Sequence, residues 1–274
     1  MPTIEVFEAF LNGFAPPRLA ESWDNVGLLV GDQRREVQRL MTCLTITPTT
    51  VDEAIRDRAD LIVAHHPLPF SAMKRLTCDT IAGRMLLKLI AAGVAVYSPH
   101  TAFDSAAEGI NQRLADGLGL KDIAPLVPHV EGQGSGRWGK FDSPLPLGAL
   151  AQRLLQFLGI AKAQVVGNLQ QEIRSVAVAC GAAGEFLEVA RTTGSNAMVV
   201  GEARFHTCLE AEAWGIGLVL PGHFASERFA VVELAGLLGR HFPQVQIWAS
   251  RQERDPLEWI GAPLSVEGNF SYNN

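Results

Sequence analysis

The sequence predicts an α/β fold made of two related lobes that face a common cleft. Three observations lead there. Short apolar, β-branched runs alternate with segments of helical apolar spacing, as in a sheet covered by helices. Those runs end in polar clusters at the strand ends, where open α/β folds place ligand sites. The second half also repeats the first. Cys43 lies 22 residues before His65 and Cys180 lies 22 before Glu202, so Leu61-Ile62-Val63 falls on Met198-Val199-Val200 without a gap. Each half then has a strand, a proline, a histidine and an acid four residues after it, His100 with Asp104 and His223 with Glu227. The expected lobes are residues 1–130 and 131–274, with the C-terminal part packing back on the first.

The elements follow in order. Ile4, Val6, Phe7, Phe10, Leu11 and Phe14 have helical spacing, and Pro16-Pro17 ends that helix. Ser22-Trp23-Asp24-Asn25-Val26-Gly27 leads through an Asx-type turn into a short strand. There the residues favour a tight turn with a packed indole over a place near a site. Leu40 to Thr47 reads as a strand, and Pro48 opens a helix running to Arg58, proline being well suited to the first turn.

Leu61-Ile62-Val63-Ala64 is a buried strand, and His65-His66-Pro67 follows it directly. Pro67 and Pro69 take the chain out of the sheet, and at such a turn two adjacent imidazoles can converge. A metal site and a pair of histidines capping turn carbonyls fit that stretch equally well. A helix from Gly83 to Ala92 and a strand from Gly93 to Tyr97 come next. Asp104 then stands as the N-cap of a helix from Ser105 to Leu118.

Glycines and prolines between Pro125 and Pro146 read as a loop-rich link between lobes. Strands at Val176–Cys180, Asn196–Val200 and Gly215–Leu220 follow, with a helix from Glu185 to Thr192. A helix from Phe229 to Leu238, a strand at Val245–Ala249 and an irregular polar tail after Pro256 complete the chain.

Composition removes several functions. Hydrophobic residues make up 47% of the 274, enough for sizeable cores. Net charge is −6 and no basic cluster exceeds Arg34-Arg35, which argues against nucleic-acid binding. No signal peptide and no membrane-length apolar run is evident, so the chain reads as cytoplasmic. Cys43, Cys78, Cys180 and Cys208 are widely spaced and read as reduced, mostly buried thiols, with no thiolate metal site.

His65, His66, Asp104, His223 and Glu227 form the constellation that carries chemistry. Glu227 lies four residues after His223, so both can sit over one helix turn and face one point. Imidazole and carboxylate donors suit Zn, Fe, Mn or Ni. Three histidines and two carboxylates exceed the needs of one tetrahedral ion and suit two ions sharing a carboxylate. His100 and Glu202, the repeat partners of His223 and His65, are candidates for orienting ligands or moving protons, and equally for plain hydrogen bonding.

These residues resemble the GTP cyclohydrolase I type 2 homologue family, also called the NGG-one-interacting-factor-three-like proteins. The resemblance rests on Ser22-Trp23-Asp24-Asn25-Val26-Gly27, Ala59 through Pro67, His100 to Asp104, Gly136-Arg137-Trp138-Gly139 and Gly222-His223-Phe224-Ala225-Ser226-Glu227-Arg228. It implies a two-lobed α/β protein with two divalent ions held by His65, His66, Asp104, His223 and Glu227, and a homo-oligomer in the form of a toroidal hexamer. The chain lacks the insert that longer members carry. Thr45 and Glu202 depart from the family, each standing where many members have aspartate. The expected activity is metal-dependent hydrolysis of a small heterocyclic or phosphorylated substrate. The alternative is a non-catalytic metal-binding, metal-trafficking or regulatory protein. The chain has no phosphate loop of the Gly-x-x-x-x-Gly-Lys type.

Overall fold

The structure, a computed structural model, describes residues 1–130, 132–258 and 260. The expected polar tail after Pro256 lies largely outside the described residues. The first half contains α1 (Ile4–Phe14), β1 (Gly27–Val30), β2 (Arg39–Cys43), α2 (Pro48–Arg56), β3 (Leu61–Ala64), α3 (Ile81–Ala92), β4 (Ala95–Ser98), α4 (His100–Ser105) and α5 (Ile110–Gly117). There follow β5 (Lys121–Val130), β6 (Gln133–Pro146), α6 (Leu147–Leu158), β7 (Gln164–Val166), β8 (Glu172–Ala179), α7 (Leu187–Thr192), β9 (Ala197–Val200), α8 (Phe205–Ala213), β10 (Gly217–Leu220), α9 (His223–His241) and β11 (Gln246–Ala249).

Among the described residues two sheets form, in the orders β1-β4-β3-β2-β11 and β5-β6-β8-β9-β10-β7. In the first, β11, β2, β3 and β4 run parallel and β1 is antiparallel at the edge. In the second, β8, β9 and β10 are parallel, with antiparallel β7 beyond β10 and the β5–β6 hairpin beyond β8. The fold is α/β with two sheets, as the alternation of strand and helix signals indicated.

Local chemistry accounts for the element ends near the site. Thr47 and Thr50 form a reciprocal capping box at the start of α2, with Pro48 in the first turn. The Thr80 hydroxyl accepts from the Gly83 N–H to cap α3, and Gly93, at φ 68, closes it in the left-handed conformation that glycine adopts freely.

Strand parity sorts side chains into layers. Leu61 and Val63 of β3, and Ala197 and Val199 of β9, face one core that lies between the sheets and is filled by α1, α5, α6 and α9. Ile62 and Ala64 face α2 and α3, whereas Met198 and Val200 face α7 and α8. Three layers of helix thus enclose two sheets, and the matching ends of β3, β4, β9 and β10 open toward one cleft. Among the described residues no helix is long and apolar enough to cross a membrane.

Several expectations are corrected. The stretch read as a loop-rich link is the β5–β6 hairpin, whose glycines serve the backbone geometry of strand pairing: a Cβ on Gly134 would meet the Val127 carbonyl oxygen at 2.1 Å. Lys121–Val130, on the first-lobe side of the expected boundary, pairs into the second sheet. The helix expected from Ser105 is split, because Ala106 is extended and Gly109 begins α5. Asp104 lies inside α4 and is not an N-cap. The helix expected from Phe229 starts at His223.

Candidate metal centre

His65 and His66 follow β3, with backbone N–H groups still bonded to the carbonyls of Cys43 and Leu44 at 3.0 and 2.8 Å. Asp104 comes from α4, after β4. His223 and Glu227 come from the first turns of α9, after β10. All five meet. His65 Nε2 lies 3.6 Å from Asp104 Oδ1 and 3.9 Å from Glu227 Oε1. His66 Nε2 and His223 Nε2 each lie 3.1 Å from Glu227 Oε2 and 3.4 Å from one another. Glu227 therefore presents Oε1 toward His65 and Oε2 toward His66 and His223.

Donor atoms of His65, His66 and His100 lie within 4.8 Å of one another, as do those of His66, His223 and Glu227. The donor set fits a divalent cation, because its hydrogen bonding is incomplete without one. Both ring nitrogens of His65 are buried with no hydrogen-bond partner, and Glu227 Oε2 faces the Nε2 atoms of His66 and His223. Each such group costs about 1–3 kcal/mol when left unpaired.

Protonation follows from the same packing. Burial holds the His65 pKa well below the ordinary histidine value, keeping the neutral form that ligates metals. Burial resists ionisation of Glu227, but hydrogen bonds from His223 and His66 and the surrounding imidazoles outweigh it and pull its pKa down. Burial and the Glu227 charge push Asp104 up. The hydrogen bond to Glu227 raises His223 to about 9 against the opposing effect of burial. A cation entering here has to displace that proton.

A further ring of contacts fixes the imidazoles through their other nitrogens. His66 Nδ1 lies 2.7 Å from Thr45 Oγ1, His223 Nδ1 lies 3.1 Å from Glu202 Oε1, and His100 Nδ1 lies 2.7 Å from Asp24 Oδ1. Thr45 and Glu202 are thus the partners of the two histidines that share Glu227 Oε2. The Asp24 carboxylate also accepts from the Thr101 N–H at 3.1 Å and from the Thr101 hydroxyl. Burial would raise the Asp24 pKa, but bonds from His100 and Thr101 prevail and lower it to about 2.

The sequence reading of Trp23 and Asp24 is corrected. Trp23 is 60% exposed rather than packed, and Asp24 serves the site through His100. His100 itself sits at φ 28, a backbone conformation that non-glycine residues rarely hold.

The repeat alignment also shifts by one. Register and layer place Leu61 level with Ala197, so Glu202 is level with His66, and Gly201 stands where His65 does. A Cβ on Gly201 would lie 2.5 Å from Ser226 Oγ, so α9 leaves no room for a side chain there. Gly222, at φ 99, adds a residue after Pro221 and carries His223 one position beyond the level of His100.

Five further residues shape the site, and the sequence reading gave none of them a role there. The Cys180 thiol donates to Asp104 Oδ1 at 3.2 Å, and burial with the two nearby carboxylates holds its pKa high. Gly181, at φ 64, is needed because a Cβ there would lie 2.4 Å from Glu227 Oε1. Arg137, fully buried, donates to the carbonyls of Gly134 and Gly136 at 2.7 Å and of Ala106 at 2.6 Å, tying the end of α4 to β6. Arg228 pairs with Glu253 at 2.8 Å, whose carboxylate accepts from the Leu44 and Thr45 N–H groups and so fixes the loop bearing Thr45. The cleft over the cluster has a volume of about 820 Å³.

Comparison with known proteins agrees with this architecture. A model of Duf34/NIF3 (NGG1p interacting factor 3) matches residues 2–256. The chain is 32% identical over 256 residues to a GTP cyclohydrolase 1 type 2 homolog from Clostridium acetobutylicum, covering 91% of this chain and 96% of that one. It is 33% identical to the protein NIF3 homolog of Schizosaccharomyces pombe, covering 88% and 92%. The crystal structure of the Staphylococcus aureus protein SA1388 superposes with a TM-score of 0.86 at 26% identity, covering 94% of this chain and 99% of that one. The chain belongs to the Duf34/NIF3 family.

Proposed function

We propose that this protein is a dinuclear metal-dependent hydrolase acting on a small heterocyclic or phosphorylated substrate, with His65, His66, Asp104, His223 and Glu227 as the ligands of two divalent ions. The observation that carries this reading is the buried His65 ring, both of whose nitrogens lack a hydrogen-bond partner, set against Asp104 and Glu227, which line an open cleft. Bound divalent ions would supply Lewis acidity and an activated water for attack on a polarised carbon or phosphorus.

The chain's own groups do the rest. Thr45 and Glu202 hold the His66 and His223 rings with Nε2 toward Glu227. Asp24 fixes His100 through Nδ1, leaving Nε2 to hold or pass a proton at the cleft. Glu202 is placed to relay a proton to solvent. Family relatives that carry the cyclohydrolase name lend the heterocyclic substrate its support. The same reading includes assembly as a toroidal hexamer. Screening metal-loaded protein on purine, pteridine and phosphoester substrates tests it: turnover lost in Glu227→Ala at unchanged fold supports it, and silence across the panel opposes it.

One observation favours a second reading, a metal-trafficking or regulatory protein. His223 and Glu202 are 34% and 53% exposed, which opens an ion at that edge to exchange. Transfer of metal to an apo acceptor, without turnover, would decide for it.

A further inference from the structure

The cleft carries two features that the metal ligands do not explain. The first is an aromatic lip. Trp23 and Phe70 are 60% and 57% exposed, yet they lie side by side with ring centroids 6.0 Å apart. Each is also about 6 Å from the His100 ring, at 6.0 and 5.9 Å. They come from distant segments, the turn before β1 and the loop after Pro69. That loop is pinned to the turn by the Asn25 side-chain amide, which donates to the Pro69 carbonyl at 2.8 Å. Single exposed aromatics are ordinary on a protein surface. Two held together at the mouth of the cleft over the donor cluster, edge-on to a candidate proton-transfer group, offer an apolar aromatic surface beside it.

The second feature is charge. Glu21, Asp104, Glu185 and Glu227 line the cleft, and among the described residues no lysine or arginine does. Asp104 and Glu227 belong to the metal cluster. Glu21 does not: it lies two residues before Trp23, its N–H bonded to Thr101 Oγ1 at 3.0 Å and its Oε1 accepting from Ser135 at 3.1 Å. A polyphosphate chain lying along the Glu21 and Glu185 walls would meet carboxylates and no lysine or arginine. A ring bearing N–H or amino groups would meet acceptors.

We propose that the lip of Trp23 and Phe70 binds the ring of a neutral or cationic planar heteroaromatic compound, with Glu21 accepting from its N–H edge, and that the cleft disfavours polyphosphate-bearing forms of the same ring. This rests on the cleft being the substrate site of the proposed hydrolase, and it chooses the heterocyclic over the phosphorylated substrate class.

The test is calorimetric titration of guanosine, cytidine, pterin, GTP and inorganic triphosphate into full-length protein, both metal-loaded and chelator-treated, with metal content measured in parallel. The expected result is that at least one of the three ring compounds binds. Trp23→Ala and Phe70→Ala should each weaken that binding about tenfold, as stacked aromatic platforms do, and Trp23→Phe should restore most of it. On chelator-treated protein, GTP should bind more weakly than guanosine. The proposal is overturned if none of the ring compounds binds, if GTP or triphosphate binds chelator-treated protein more tightly than guanosine, or if Trp23→Ala leaves affinity unchanged while lowering the sedimentation mass, the mark of a subunit contact. Ring binding that persists in protein found to take up no metal would overturn the metal reading and leave this one standing.

Discussion

The ends of β3 and β4 and the ends of β9 and β10 are built on the same plan and do different work. In the first set the strand ends themselves deliver the buried donor. His65 follows β3 directly and is 2% exposed, and His100 after β4 is anchored through Nδ1 to Asp24. In the second set the position of His65 is taken by Gly201, and the donors come from α9, where His223 and Glu227 stand one turn apart. The added Gly222 makes the change. It moves the histidine along the helix so that its Nε2 reaches Glu227, while its Nδ1 meets the acid that is level with His66. A duplicated framework supplies the place, and one glycine and one inserted residue assign the roles.

This comparison is broken or sharpened by experiment, the largest effect first. His223→Ala should remove most bound metal, whereas His100→Ala should leave metal content intact and lower turnover on an accepted substrate about 100-fold, as loss of an acid–base group does. Equal metal loss in both, read by mass spectrometry, would make the two histidines equivalent.

Next is Arg137, which ties the end of α4 in the first set to β6 beside the second. Arg137→Met leaves buried carbonyls unpaired and should destabilise the fold by about 3 kcal/mol in urea unfolding. An unchanged midpoint would show that the two sets are held together elsewhere.

Asp24 gives a pH signature for the first set. Its folded pKa, about 2, lies below the ordinary 3.8, so its contribution is fully present above pH 4 and is lost as pH falls toward 2. Wild type should exceed Asp24→Asn by about 2 kcal/mol at pH 5, with the gap closing near pH 2. A gap that does not change with pH would mean that shape, and not charge, is what Asp24 provides.

The smallest effect separates the two ring anchors. Thr45→Val and Glu202→Gln should each lower metal affinity about tenfold, the scale for groups that orient a ligand. Glu202→Gln should be the milder, because Glu202 is half exposed and Thr45 is not.

Much of the site could be read from the residues and much could not. The buried strands, His65-His66-Pro67 and the His223-to-Glu227 spacing were legible because apolar runs and helical periodicity are local signals. The halves were recognisable as repeats, but the alignment slipped by one, since residue spacing carries no information about which face a side chain takes. Sheet register does. The β5–β6 hairpin was hidden because its glycines and prolines mark turns in most contexts, whereas here glycines such as Gly134 and Gly139 sit where the paired strands leave no room for a Cβ. Trp23 and Asp24 read as a turn because their partner, His100, lies 76 residues on from Asp24. Cys180, Gly181 and Arg137 act through contacts that only the packed fold brings together.

The most direct test of the shared centre is metal content by mass spectrometry on chelator-free, untagged protein, comparing wild type with His65→Ala and Glu227→Ala. Glu227 faces both halves of the donor set, and His65 faces one. The expected result is about two ions per chain in wild type, loss of both in Glu227→Ala, and loss of at least one in His65→Ala. Substoichiometric metal that is indifferent to both substitutions would contradict the dinuclear centre.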